Sequence, residues 1–417
     1  MFTPETLTDI RAAFPILSRK HNGNPLVFLD NAAGTQVPRQ CIEGFVRYLS
    51  ESNSNTHNPY VTGVETDAVI ANAHAAMADF INAPDGASVI LGPNMTTLTF
   101  ALSRALSASW QPGDEIILTR LDHDGNFSPW HLAARDRGVT VRVVDINTDD
   151  CTLVVDDFER YLGPRTRLVA VGGASNMVGT INPLKQIIGM ARAAGALSFV
   201  DAVAYAPHVS IDVQALGCDF LACSPYKFWG PHLGALWGRR ELLDALPAYK
   251  VRPAGNELPG KFQTGTQSHE AWAGLIGTFD YLEWLSTRVP ASTAKLRSAR
   301  ASRFRAVMDA MQAYERGLCE QLIRGIQAIP GSKVYGITDP ARFEWRAPTV
   351  GFRVRKGAPE HISTTLGERG ILVQHGNYYA QNLSERLGLE DGGGVIRASI
   401  THYNTAAEID RLLEALD

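Results

Sequence analysis

Short apolar runs rich in β-branched residues alternate along this chain with longer stretches whose apolar positions recur at helical spacing. That rhythm predicts an α/β protein with a largely parallel sheet. Seven runs read as its strands: 88–91, 115–119, 140–144, 167–171, 197–200, 220–223 and 234–237. Among the intervening helices, 183–194 has the clearest bounds, with Asn182 to cap it, Pro183 in its first turn and Gly195 to end it. The texture changes near His269. Helical segments over 270–285 and 301–328 lead into short strands around 333–336, 350–354, 371–374 and 395–400, and a helix over 405–416 follows. This predicts a second, smaller α+β domain. The N-terminal helix over 3–14 can pack on either one. The expected division is a large domain over 18–285 and a small one made of 1–17 with 286–417.

Composition narrows the classes. The 417 residues are 45% hydrophobic, enough for a sizeable core, and the formal charge of -4 is nearly balanced. Neither a phosphate-tracking nucleic-acid binder nor a polybasic membrane-surface protein has that balance. No apolar stretch reaches the roughly 20 residues of a membrane span, and residues 1–17 carry acidic groups and no apolar signal core, so the expected location is the cytoplasm. Cys41, Cys151, Cys218, Cys223 and Cys319 are odd in number and scattered, which suits buried thiols better than disulfides or zinc. His123 with Asp122 and Asp124 is too small a set for a metal, and none is expected.

The polar groups fall where an open α/β sheet binds ligands, just past the carboxyl ends of its strands. Strand 88–91 runs into Gly92-Pro93-Asn94-Met95-Thr96-Thr97, and 115–119 into Asp122-His123-Asp124-Gly125-Asn126. Asn176 follows 167–171, Asp201 follows 197–200, and Ser224-Pro225-Tyr226-Lys227 follows 220–223. Lys227 sits among aromatics, glycines and prolines, where desolvation favours the neutral amine that forms Schiff bases. Pyridoxal phosphate needs such a lysine, an acid at its ring nitrogen, an anion cradle and a flat partner for its ring. Lys227, Asp201, the Thr96/Thr97 turn with Ser224, and His123 fill those roles in order.

At these residues the chain resembles the fold-type I pyridoxal-phosphate enzymes, in particular the class V aminotransferase family that contains the cysteine desulfurases. The resemblance runs from Phe28-Leu29-Asp30-Asn31-Ala32-Ala33-Gly34 to Arg397-Ala398-Ser399-Ile400-Thr401-His402-Tyr403-Asn404. It implies a seven-stranded, mainly parallel large domain and a small α+β domain. It also implies Asp201 as the pyridinium aspartate, Lys227 as the Schiff-base lysine, His123 as the ring-stacking histidine, and Asn176 beside the cofactor oxygen and substrate carboxylate. Arg397 resembles the clamp for the substrate carboxylate, a task suited to a planar bidentate donor. Thr266, in Phe-Gln-Thr-Gly-Thr-Gln, is similar to the threonine that reaches the neighbouring subunit's cofactor, which implies a homodimer with shared active sites. Asn31, Tyr226, Tyr378 and Tyr379 complete the expected cofactor and substrate surroundings.

The chain departs from the desulfurases at two places. Their mobile-loop cysteine is replaced in Val373-Gln374-His375-Gly376-Asn377-Tyr378-Tyr379-Ala380-Gln381 by Tyr379, and none of the five cysteines lies in that loop. Tyr226 stands where they place His before the lysine, and Ala204 where they place Gln or His three residues after the aspartate. The reaction expected from this set is a desulfurase-like carbon–sulfur lyase, eliminating from cysteine or an S-substituted cysteine without a loop persulfide. Aminotransfer or epimerisation, a true desulfurase using another thiol with a sulfur-acceptor partner, and an inactive cofactor-binding interaction protein are the alternatives.

Overall fold

The computed structural model describes residues 2–355 and 357–417. Seven strands form its main sheet: β1 (Val89–Gly92), β2 (Glu115–Thr119), β3 (Thr140–Val144), β4 (Thr166–Gly172), β5 (Leu197–Asp201), β6 (Phe220–Cys223) and β7 (Gly234–Gly238). Each lies within one residue of its predicted bounds. Their spatial order is β1-β7-β6-β5-β4-β2-β3, and only β7 runs antiparallel to its neighbours.

Alternation along the strands builds two cores. Val89, Leu91, Ile117, Val169, Val171 and Val200 face one, while Ile90, Ile116, Leu118, Leu168, Ala170 and Phe199 face the other. Helices cover both faces, so the strands read as continuous apolar runs rather than as polar alternation. The helix predicted over 183–194 forms as Leu184–Ala193, and Gly195 follows at φ 76°. Asn182 does not cap it. Its Nδ2 instead donates to the Gly172 carbonyl at 2.8 Å, tying the loop back to the end of β4.

The smaller sheet is antiparallel, with β8 (Lys333–Tyr335), β9 (Thr349–Arg353), β10 (Gln374–Gly376) and β11 (Val395–Ser399) in the order β8-β9-β11-β10. The strand expected over 371–374 is divided. Ile371–Leu372 pairs in parallel with Val27–Phe28, and Gln374–Gly376 joins β11. That division delivers Asp30–Ala33 to the small sheet, where Asp30 bridges to Ser399.

The helix Ala299–Ala328 serves both units. Phe304, Val307, Met308 and Met311 pack into the large-sheet core, and Leu318, Leu322, Ile323 and Ile326 into the core of the small sheet. The N-terminal helix Pro4–Ala12, capped by the Thr3 hydroxyl, places Ile10 and nearby Phe14 in the large-sheet core. Arg11 also pairs with Glu408 of the C-terminal helix at 3.0 Å. No helix among the described residues is long and apolar enough to cross a membrane.

Candidate active site

One cavity of about 290 Å³ lies past the carboxyl ends of the parallel strands and is closed by residues on and beside the smaller sheet. Asn94 and Thr96 after β1, Asp122 and His123 after β2, and Asn176 after β4 line it. Asp201 at the end of β5 lines it as well, with Ser224, Tyr226 and Lys227 after β6. Asn31, Gln374, Tyr378, Tyr379 and Arg397 complete it from the other side. Of the residues expected there, Thr97 and Thr266 are exposed and do not line it.

Lys227 occupies a one-turn 3-10 helix, where its amine donates to the carbonyls of Ala32 and, at 2.9 Å, Ala33. Its Nζ also sits 4.7 Å from the centre of the Tyr226 ring. Burial, with the Arg397 charge adding to it, holds the amine far below the usual lysine range, at about 7. A half-neutral amine near neutral pH is a competent nucleophile and proton carrier.

Asp201 is buried, and its Oδ1 accepts from the Val203 amide at 2.9 Å. Desolvation pushes its carboxyl up to about 7. Asp122 is likewise pushed to about 7, by burial first, and its hydrogen bonds from Thr119 and Gly172 offset only part of that. Two buried carboxyls, at or just past the ends of β2 and β5 on either side of β4, favour a cation between them and the cavity. Sequence reading missed the role of Asp122; the signal was a carboxylate placed directly before His123.

His123 accepts from the Gly125 amide through Nδ1 at 2.9 Å, so that nitrogen carries no proton. Burial and the Lys227 charge lower its pKa to about 4, which keeps the ring neutral. The anion-binding candidate is the start of the helix Met95–Ser107, where Asn94 Oδ1 takes only the Thr97 amide. Gly234 permits this placement, since a Cβ there would lie 2.3 Å from the Asn94 carbonyl carbon.

Arg397 is 2% exposed and anchored three ways. It donates to Asp30 Oδ1 at 2.9 Å and to the Asn176 carbonyl at 2.9 Å, and the Tyr378 ring lies 4.0 Å from its guanidinium carbon. Its Nε and the Asn176 Oδ1 are buried with no protein partner. An unmet donor and an unmet acceptor on one wall fit a ligand carrying a carboxylate and a hydroxyl or amine. The Asn31 amide, by contrast, is fully engaged. It donates to Phe28, Ser399 and Asn404, and accepts from the Tyr403 hydroxyl.

Tyr378 and Tyr379 are consecutive left-handed residues, at φ 56° and 59°. Such backbone costs about 1–2 kcal/mol per residue and persists only where its surroundings impose it. Here Asn176 Nδ2 donates to the Tyr378 carbonyl at 2.8 Å, and the Asp124 amide to the Tyr379 carbonyl at 2.7 Å. The loop is thereby clamped to the segments that follow β4 and β2. The Tyr378 hydroxyl points inward, within reach of the Gln374 and Val395 carbonyls, while the Tyr379 ring is 73% exposed at the rim, 5.6 Å from His123.

Residues 27–412 match the family model of the class V aminotransferases. The chain belongs to the class V aminotransferase family. Membership makes it a pyridoxal-phosphate-dependent enzyme, and within the family it is cysteine desulfurase-like. It is 32% identical to a probable cysteine desulfurase of Streptomyces coelicolor over 430 residues, covering 98% of this chain and 96% of that protein. It is 31% identical to a cysteine desulfurase of Dickeya dadantii, covering 98% of this chain and 95% of that one. Among solved structures, the S-sulfonic acid form of an Escherichia coli cysteine desulfurase matches with a TM-score of 0.83 at 26% identity, covering 99% of this chain and 97% of that one. The fold-type I α/β architecture expected from the sequence is thus the one observed.

Proposed function

We propose that this family member is a carbon–sulfur lyase that eliminates from cysteine or an S-substituted cysteine without a persulfide on a loop thiol. One observation carries the reading: all five cysteines, Cys41, Cys151, Cys218, Cys223 and Cys319, are buried, which agrees with reading Tyr379 at the loop position of the desulfurase cysteine. Burial also pushes Cys41 and Cys151 up to about 11 and Cys218 to about 12, so little thiolate exists near neutral pH.

The residues fit the cofactor. Lys227 would be its covalent anchor, Asp201 would pair with its ring nitrogen, His123 would face its ring, and Thr96 with Ser224 would support its phosphate. When bound, pyridoxal phosphate supplies an electron sink for the carbanion at the substrate α-carbon. Arg397 Nε donates to the substrate carboxylate, and Asn176 Oδ1 accepts from the ligand's amine or hydroxyl. Lys227, with its lowered pKa, removes the α-proton. As the Cβ–S bond breaks, its electron pair leaves with sulfur, and Tyr379 is the loop side chain whose hydroxyl is free to protonate it. Tyr378, whose hydroxyl faces backbone carbonyls, stacks on and orients Arg397.

A homodimer belongs to the same reading. Ile42, Val46 and Leu49 form an exposed helical stripe beside the exposed Tyr60, Val61 and Val64. A second copy covering this patch accounts for it, and Thr266, outside its own cavity, is then free to serve the partner's cofactor. Light scattering of the purified protein tests the dimer, and Val46→Arg should dissociate it. For the activity, the purified protein should show a visible band that borohydride removes, and S-substituted cysteines should alter that band and yield thiol. A protein that shows the band but is altered only by amino acids without sulfur would overturn the lyase reading.

A further inference from the structure

Resting on the reading above, we propose that His208 and Glu315 form a proton relay joining the active-site cavity to a separate cleft open to solvent. His208 is 5% exposed and lines the cavity on the same wall as Ala204 and Pro207. Ala204 carries no polar group, so His208 is the ionisable side chain of that wall beyond Asp201. Its Nδ1 lies 2.8 Å from Glu315 Oε2, and its Nε2 has no protein partner among the described residues. Glu315 is fully buried in the helix Ala299–Ala328.

A second cleft, of about 250 Å³, lies on the far side of this pair. Glu315 and His208 both line it, so His208 is shared by the two spaces. The cleft reaches the surface at Asp309, Arg316 and Glu344, which are exposed. Its inner wall includes Arg346, whose Nε is buried with no protein partner, and its volume, with the polar groups of Gln312, Glu315 and Arg316 on its wall, suits several ordered waters. Behind Glu315 its other oxygen accepts from Thr401, which also meets His402, so the carboxylate is held in one orientation.

The relay answers a need of the chemistry. An amino acid arrives as an ammonium and must lose one proton before its nitrogen can attack. His208 Nε2 takes that proton, Nδ1 passes its own to Glu315, and Glu315 releases it to water in the cleft. When the amine product leaves, the steps run in reverse: Glu315 takes a proton from the cleft, Nδ1 receives it, and Nε2 gives up its proton. No net charge accumulates over the cycle, and the clamped Tyr378–Tyr379 loop need not open for protons to pass.

The test uses the cofactor-loaded protein and reads the visible band, not turnover alone. The wild type establishes that the band exists and changes on mixing with an amino acid, which is the parent reading. His208→Ala should retain the band and the cofactor affinity, while the rate of the spectral change falls by about 100-fold, the lower range for general acid–base groups. Added imidazole should restore it, entering through the cleft, and the further change Ala313→Trp at the cleft wall should abolish that rescue. His208→Gln provides a second variant of similar polarity should the alanine protein fold poorly, and it should be equally slow. An unchanged rate in a band-retaining His208 variant, or no rescue by imidazole, would overturn the relay.

Discussion

Arg397 donates to Asp30 across 2.9 Å, so the guanidinium expected to clamp a substrate carboxylate already holds one of the protein's own. Asp30 arrives there because Val27–Phe28 pairs with Ile371–Leu372. The pair fixes the fork and leaves Nε as its unmet donor. Arg397→Lys removes the planar fork, and kcat/KM for amino acids should fall about 10- to 100-fold, mostly through KM. Steady-state kinetics on the purified variant checks this; an unchanged KM places the carboxylate elsewhere.

The lowered pKa of Lys227 gives the protein a pH signature. The neutral amine is the reactive form, and burial brings its midpoint to about 7. The rate at which cofactor-free protein captures pyridoxal phosphate should therefore rise between about pH 6 and 8 and then level off. An ordinary exposed lysine would keep rising toward about 10.4. Stopped-flow absorbance across pH distinguishes the two, and Lys227→Ala should give no borohydride-sensitive band.

Buried thiols make a sharp count. Under native conditions a thiol reagent such as Ellman's should titrate essentially none of the five cysteines quickly, and all of them after denaturation. Tyr379→Cys should add one fast-reacting thiol, because position 379 is exposed at the rim. A fast native thiol would reopen persulfide chemistry.

Gly234 permits close approach of the helix that begins at Met95. Gly234→Ala drives a Cβ to 2.3 Å from the Asn94 carbonyl carbon. The backbone must shift, and such overpacking costs about 1–3 kcal/mol. Denaturant unfolding should show that loss, and cofactor titration should show weaker binding, since the displaced turn carries Thr96. Full cofactor affinity in a destabilised variant would move the phosphate site away from this turn.

Much of the site was legible because the chemistry sits at strand ends. Asp201, Lys227 and His123 each follow a run of alternating core residues, and the strand bounds fixed where the rim lay. Local signals failed where long-range pairing decided the outcome. Asn182 looked like a helix cap but bonds to Gly172, because satisfying that strand-end carbonyl in the buried loop takes precedence over a helix start. The 371–374 run looked like one strand, yet its halves serve two sheets. Asp30, His208 and Glu315 were invisible as site residues because their partners lie 367 positions away from Asp30, and 107 positions apart in the His208–Glu315 pair. The left-handed Tyr378–Tyr379 pair carries no sequence signature at all, since bulky residues are disfavoured there.

Product analysis on L-cysteine and an S-alkyl cysteine separates elimination from desulfuration in one measurement. Elimination should give pyruvate with an equal amount of sulfide or alkyl thiol, no alanine, and no persulfide on the protein by mass spectrometry. Alanine formed together with a protein-bound persulfide would contradict it.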